Sequence, residues 1–443
     1  IETAYYPLES SQDDIPAYLG IQLILEDGSV RSLTLPMTSN LARTIVAEEP
    51  RAVLLKTGYA PLVQKYIVDQ LSKTGRSGEC QRGVYLPGNG TYRLADGQHV
   101  TVWNGRVAGS TKLEVPYMIK PTNTYRITNS IDRPVPTLVR TLLENDAALV
   151  LPVAYALLVS RRDVLTAEQH PLQGGLYITG VQSSGKTTLA RRVFGYTERI
   201  GIPGKAALVL EAVSTEASVR DTLSENPGCV VIIDDLAHSS SRTIEAHRKK
   251  LGGAMLRLAA NEGDSTKKGK TGKTDHRDCT SGIALTAEFV LDGVSELTRS
   301  IFVYLEKKLN LTEDVRPALI GAILEDFADW FADNYEHAIE LLHKIADSPD
   351  ILKNLRVDGA DEFTELLTRE RRIQDNLALL QWAFVCMVEM IKSTVKLSPH
   401  REQALYEKFW MAVHLSVSKQ VDEFAKIRTH LKKGNRSSSL RSD

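Results

Sequence analysis

At 443 residues the chain is too long for one compact core and fits two or three domains of ordinary size. Apolar residues make up 42% and charged residues 25%, the proportions of a globular protein rather than of a disordered or fibrous one. The formal net charge of -1 provides no global positive field, so any hold on nucleic acid must come from a local patch.

The first residue is Ile rather than Met, and the chain reads as a fragment or processed product. Residues 1–132 alternate apolar stretches with turn residues. GIQLILEDGSVRSLTL carries a central DG, and GVYLPGNGTYRLADGQHVTVWNG carries NG and DG, the pattern of β-hairpins. LARTIVAEE and YAPLVQKYIVDQLSKTG have helical spacing, so the region is expected to be a small α+β domain. It shows no catalytic constellation; packing, subunit contact and partner docking all remain open to it.

A helical pattern rich in Leu, Val and Ala runs from about Arg133 to Val164. LYITG, AALVLEAV, CVVIIDDL, GIALTAEF and IFVYL then come as short apolar runs separated by helical stretches. Buried parallel strands with crossover helices have this texture, so residues 133–310 are expected to form an α/β core on a five-stranded parallel sheet. Residues 311–430 are helical in pattern, and 431–443 form a polar, basic tail expected to be disordered.

Cys80, Cys229, Cys279 and Cys386 show no CxxC spacing, which fits a reducing, cytoplasmic compartment. His276 and Cys279 lack a second pair at finger spacing, so structural zinc is not expected there. The apolar runs at 147–159 and 377–391 fall short of the ~20 residues that span a bilayer and read as buried helices.

Chemistry concentrates in LYITGVQSSGKTTLARRVF: an apolar strand, then GxxxxGK[ST], then an amphipathic helix. Gly180 and Gly185 let the backbone of Gly180, Val181, Gln182, Ser183, Ser184 and Gly185 curl so that N–H groups point at a β-phosphate. Lys186 is expected to reach the β and γ oxygens of ATP. Thr187 places a hydroxyl where Mg²⁺ needs an oxygen ligand, with Thr188 as a polar neighbour. About fifty residues on, CVVIIDDLA ends an apolar strand in two carboxylates. Asp234 is placed to hold the metal, and Asp235 to polarise the attacking water.

The spacing of GVQSSGKT, VVIIDDL and ALTAE resembles AAA+ ATPases. The paired Asp, together with the downstream arrangement of residues, is most similar to superfamily-3-type helicases of phages, satellites and integrative mobile elements, over about residues 170–310. That resemblance implies a sensor role for Thr286, where superfamily-3 enzymes usually carry Asn, with Glu288 as the other polar contact. It also implies that Arg299 acts as an arginine finger on a neighbour's γ-phosphate. The alternative for Arg299 is a helix C-terminal Arg satisfying carbonyls.

In related translocases a hairpin projects into a central pore at the position of GDSTKKGKTGKTDHRD. Lys267, Lys268, Lys270 and Lys273 suit gripping phosphates without reading bases, and the absence of an aromatic residue favours nucleic acid over polypeptide as the track. A solvated basic loop is the other reading. The resemblance thus implies a homo-oligomeric, hexameric ATPase that translocates on or unwinds single-stranded or forked DNA in replication of a mobile element, with replication proteins as further partners and no membrane. The alternatives are an ATP-dependent oligomerising switch or scaffold in defence or regulation and, less in keeping with the Lys-rich insertion, a small-molecule P-loop kinase.

Overall fold

The computed structural model describes residues 3–7, 16–25, 27–37, 41–52, 62, 65–67, 69, 81–110, 112–120, 125–211, 214–238, 240–260, 266–268, 274–276, 279–291, 293–347 and 371–439, with 266–268, 274–276 and 428–439 as backbone only. They divide into two compact units, 1–88 with 92–122 and 89–91 with 123–443.

In the first unit a five-stranded sheet runs in the order Val30–Pro36, Tyr18–Ile24, Thr3–Pro7, Gln81–Leu86, Tyr117–Ile119. The DG turn closes the expected hairpin, pairing Ile24 with Val30, and Asp27 accepts a bond from the Ser29 N–H. Helix Leu41–Glu48 lays Leu41 and Ile45 against Leu19, Ile21 and Leu35. The helix expected at 59–75 falls mostly outside the described residues.

The second unit is built on β1 (Gly175–Gly180), β2 (Val209–Glu211), β3 (Val230–Leu236), β4 (Gly282–Ala287) and β5 (Ser300–Leu305). All five strands expected in the core are present. Their spatial order is β2-β3-β4-β1-β5, and every neighbouring pair is parallel. Every residue of β4 is buried, as is all of β1 but Gly180, because helices cover both faces. The covering helices include α1 (Pro134–Glu144), α2 (Val150–Ser160), α3 (Arg162–Ala167), α4 (Lys186–Phe194), α5 (Glu216–Glu225), α6 (Arg242–Ala259) and α7 (Val294–Thr298). Helix α2 is apolar around its whole circumference and buried throughout. Its Tyr155 hydroxyl accepts the Ile283 N–H at the start of β4.

Helices α8 (Pro317–Asp333), α9 (Tyr335–Ala346), α10 (Arg371–Thr394) and α11 (Pro399–Ser439) come next, giving the helical C-terminal region. They share the sheet's compact unit. Gln420 on α11 donates to the carbonyls of Leu297 and Ser300, where the chain enters β5, and Trp382 on α10 donates to the Ala338 carbonyl of α9. The run at 377–391 lies in a 24-residue helix long and apolar enough to cross a membrane by length and composition; here Leu380, Trp382, Phe384 and Met387 are core. Backbone over 431–439 continues α11 instead of forming the expected disordered tail. The segment holds one Gly and no Pro, so each further residue adds a helical bond to a helix already nucleated.

β1 stands between β4 and β5, so the connection from β4 to β5 passes over it while α4 leads from β1 toward β2. The carboxyl ends of β1, β3 and β4 therefore open on a shared crevice, where open α/β sheets bind ligands.

Candidate functional site

The loop Gly180 to Thr187 leaves the carboxyl end of β1 and enters α4. Gly180 has φ 151°, and a Cβ there would stand 2.3 Å from the Leu305 carbonyl oxygen, so only glycine lets β1 and β5 run side by side at this point. Gly185, at φ 96°, is the left-handed residue that caps α4. The segment after β5 is tied to the loop, with the Leu309 N–H donating to the Ser184 carbonyl at 2.9 Å. Ser184 is fully buried and its hydroxyl has no hydrogen-bond partner among the described residues.

Lys186 turns back over the loop, donating to the carbonyls of Gly180 (3.1 Å) and Val181 (2.9 Å). Burial lowers its pKa, and the Glu288 carboxylate works against that shift. Thr187 and Arg191 lie four residues apart on α4 and so face the same way, toward the end of β3. Thr187 donates to Asp234 Oδ1 at 2.8 Å and Arg191 to Asp234 Oδ2 at 3.0 Å.

On a regular strand Asp234 and Asp235 would project to opposite faces. Here the β3–β4 register slips between Ile233 and Leu236, a bulge on β3, and Asp235 takes φ 69°. Asp234 is thereby buried and Asp235 exposed at the cleft. Thr286 on β4 stabilises this irregularity twice: its hydroxyl accepts the Asp235 N–H at 3.0 Å and donates to Asp234 Oδ1 at 2.6 Å. The bulge takes Asp235 out of the regular ladder, and Thr286 holds both residues in the altered geometry.

Ser183, Lys186, Thr187, Asp235, Thr286 and Glu288 line a cleft of about 510 Å³, together with Lys308 and Asn310. That volume is ordinary for a small-molecule or cofactor site. Thr188 also lines it, whereas Val181 and Gln182 do not; both are exposed on the loop. The Thr187 hydroxyl, bonded to the Asp234 carboxylate, and the exposed Asp235 carboxylate are hard oxygen donors beside a glycine loop and a lysine, of the kind that suit Mg²⁺ with a polyphosphate.

Sequence reading missed Arg191 and Lys308. Arg191 adjoins Arg192 in a helix where either could face inward, and Lys308 is brought to the loop by backbone bonds on either side of it, Val181 N–H to the Leu305 carbonyl and Leu309 N–H to the Ser184 carbonyl.

Arg299 lies elsewhere. Its carbonyl accepts the Gly175 N–H, which fixes it at the amino end of β1, about five residues or some 16 Å from the loop. Its guanidinium donates to the carbonyl and hydroxyl of Ser295 on α7. Strands Thr266–Lys268 and Thr274–His276 pair as an antiparallel hairpin, with Lys267 opposite Asp275 and Lys268 opposite Thr274. Lys270 and Lys273 lie outside the described residues.

No protein-family model matches the chain, and no curated protein matches its sequence. Among solved structures it is similar to an SCCmec type IV Cch active helicase, at 12% identity and a TM-score of 0.56, over 92% of this chain and 76% of that one. It also matches a JCV helicase bound to an inhibitor, at 9% identity over 59% of this chain and 65% of that one, with a TM-score of 0.22 too low to bear weight. The first similarity extends through most of both chains and shows a helicase-like fold.

Proposed function

We propose that the chain is an AAA+-like P-loop ATPase whose nucleotide turnover drives movement along, or unwinding of, DNA within a homo-oligomeric, hexameric assembly. The observation that carries this reading is the joint hold on Asp234 by Thr187 and Thr286, beside the glycine loop at the carboxyl edge of a parallel sheet. Backbone N–H groups of the loop cradle the phosphates, and Lys186 leaves its carbonyl contacts to reach the β and γ oxygens. Thr187 and Asp234 would hold Mg²⁺, which when bound would supply positive charge beside the transferred phosphoryl group. Asp235, exposed at the cleft, orients the attacking water.

Arg299 stands remote from its own cleft, so a role as arginine finger would be on a neighbour's nucleotide after release from Ser295; bonded to the Ser295 carbonyl, it satisfies the end of α7 instead. The Lys-rich hairpin supplies phosphate contacts to the DNA track. The similarity in fold to a solved helicase is in keeping with a nucleic-acid track; DNA is proposed as that track, and replication of a mobile genetic element as the setting.

The experiment is ATP turnover with and without single-stranded DNA, run beside a mass measurement in ATP. A DNA-stimulated oligomer is expected, and a monomer indifferent to DNA would overturn the motor reading. An oligomer with slow turnover that ignores DNA would favour a nucleotide-dependent switch.

A further inference from the structure

Far from the cleft, on the approach to the amino end of β1, two histidines and a carboxylate converge from separate elements. His343 and Asp347 are four residues apart, in the last turn of α9 and at its C-cap, and so project from one face. His170 comes from the turn after α3. That turn is fixed by Gln169 at φ 64° and by the His170 N–H donating to the Leu165 carbonyl at 2.8 Å. One ligand atom from each of the three lies within 4.8 Å of the others.

We propose that His170, His343 and Asp347 form a site for a divalent transition cation of the zinc class, clipping α9 to the turn that leads into β1. Imidazole nitrogens with a carboxylate are a donor set zinc accepts, at about 2.0–2.2 Å from the metal. Tetrahedral ligands at that distance stand roughly 3.3 Å from one another, so closure requires side-chain shifts on the order of 1 Å. Asp347 is exposed and His343 half-buried at the surface, which leaves both room to make them. The present spacing suits an ion better than a direct pair: His170 Nε2 and Asp347 Oδ1 stand 4.0 Å apart, beyond hydrogen-bond reach.

Glu168 completes the pattern. Its Oε2 lies 3.2 Å from His343 Nε2, the placement of a carboxylate that orients a metal-binding imidazole, and the Tyr335 hydroxyl is 3.5 Å from its Oε1. Asp375 on α10 is near enough to feel His170 electrostatically and adds negative charge around the two rings. The distance of the cluster from the cleft assigns the ion a structural role, linking the helical C-terminal region to the strand that bears the phosphate loop.

The test is competition for Zn²⁺ against a chromophoric chelator, with heat unfolding followed in parallel. Expected is one equivalent of zinc beyond that held by the His170→Ala/His343→Ala double variant, and a zinc-dependent rise in Tm that the double variant lacks. Glu168→Gln is expected to weaken zinc binding by about ten- to a hundred-fold. Asp347→Asn, at an exposed position, keeps the test decisive should the double variant fail to fold; a loss of at least about ten-fold in zinc affinity is expected. Wild-type zinc binding and Tm response in the double variant or, should that variant not fold, in Asp347→Asn, or no zinc binding at all, would overturn the site.

Discussion

Arg191 and Asp234 are joined by a 3.0 Å ion pair between α4 and the end of β3, on the carboxylate oxygen that Thr187 and Thr286 leave open. Three donors from two elements thus fix one carboxyl group. Because Arg191 lies a turn further along α4 than Thr187, it holds the oxygen away from the phosphate loop and turns the other toward Thr187. Arg191→Ala is expected to raise the Mg²⁺ concentration for half-maximal binding of a fluorescent ATP analogue about three- to ten-fold. Arg191 is mostly exposed, so unfolding stability should fall by only about 1 kcal/mol. Arg191→Lys should restore part of the metal dependence. A lower Mg²⁺ requirement in Arg191→Ala would mean that the guanidinium competes with the metal instead of positioning its ligand.

Asp235 combines a left-handed backbone with the proposed water-orienting carboxylate. Asn tolerates that backbone region, whereas Ala costs about 1 kcal/mol more there. Asp235→Asn should therefore bind ATP nearly as wild type does while turning it over at least about a hundred-fold more slowly. Asp235→Ala should show the same catalytic loss with a lower Tm. Single-turnover hydrolysis beside equilibrium nucleotide binding separates the two effects.

Gly180→Ala should be among the most damaging single-methyl additions in the chain. The new Cβ meets the Leu305 carbonyl at 2.3 Å, at a φ of 151° that L-residues avoid. The cost is expected to be on the order of 3 kcal/mol, read as a Tm several degrees lower, with nucleotide binding lost.

Lys268→Ala with Lys270→Ala should remove DNA stimulation of ATP turnover while leaving turnover without DNA in place. Stimulation that persists in the double variant would make the hairpin a solvated basic loop.

Much of the site could be read from one sequence because its parts are local. The glycine loop needs a strand before it and a helix after it, and both leave periodic patterns; the β3 strand is an apolar run that ends in its carboxylates. The five strands were legible for the same reason, but their order was not, since pairing between β1 and β4 joins segments about a hundred residues apart. Thr286 was expected to sense phosphate. Its contacts with the Asp235 N–H and the Asp234 carboxylate depend on a bulge that no spacing rule marks. Arg299 was legible as an arginine near the end of α7, yet only the parallel register of β1 and β5 shows which edge of the sheet it occupies. His170 and His343 are separated by nearly the whole α/β core in sequence and meet only because α9 packs back beside the turn after α3.

Steady-state hydrolysis of Mg-ATP by wild type and by Lys186→Ala tests the proposed chemistry most directly. Exchange of Lys186 removes its bonds to the Gly180 and Val181 carbonyls but leaves the Asp234 contacts in place, so the fold should survive, as heat unfolding would verify. Measurable turnover by wild type, reduced at least about a hundred-fold in Lys186→Ala, is the expected result. Equal rates in the two proteins, or no nucleotide turnover by wild type with or without DNA, would contradict an ATPase site at Gly180 to Thr187.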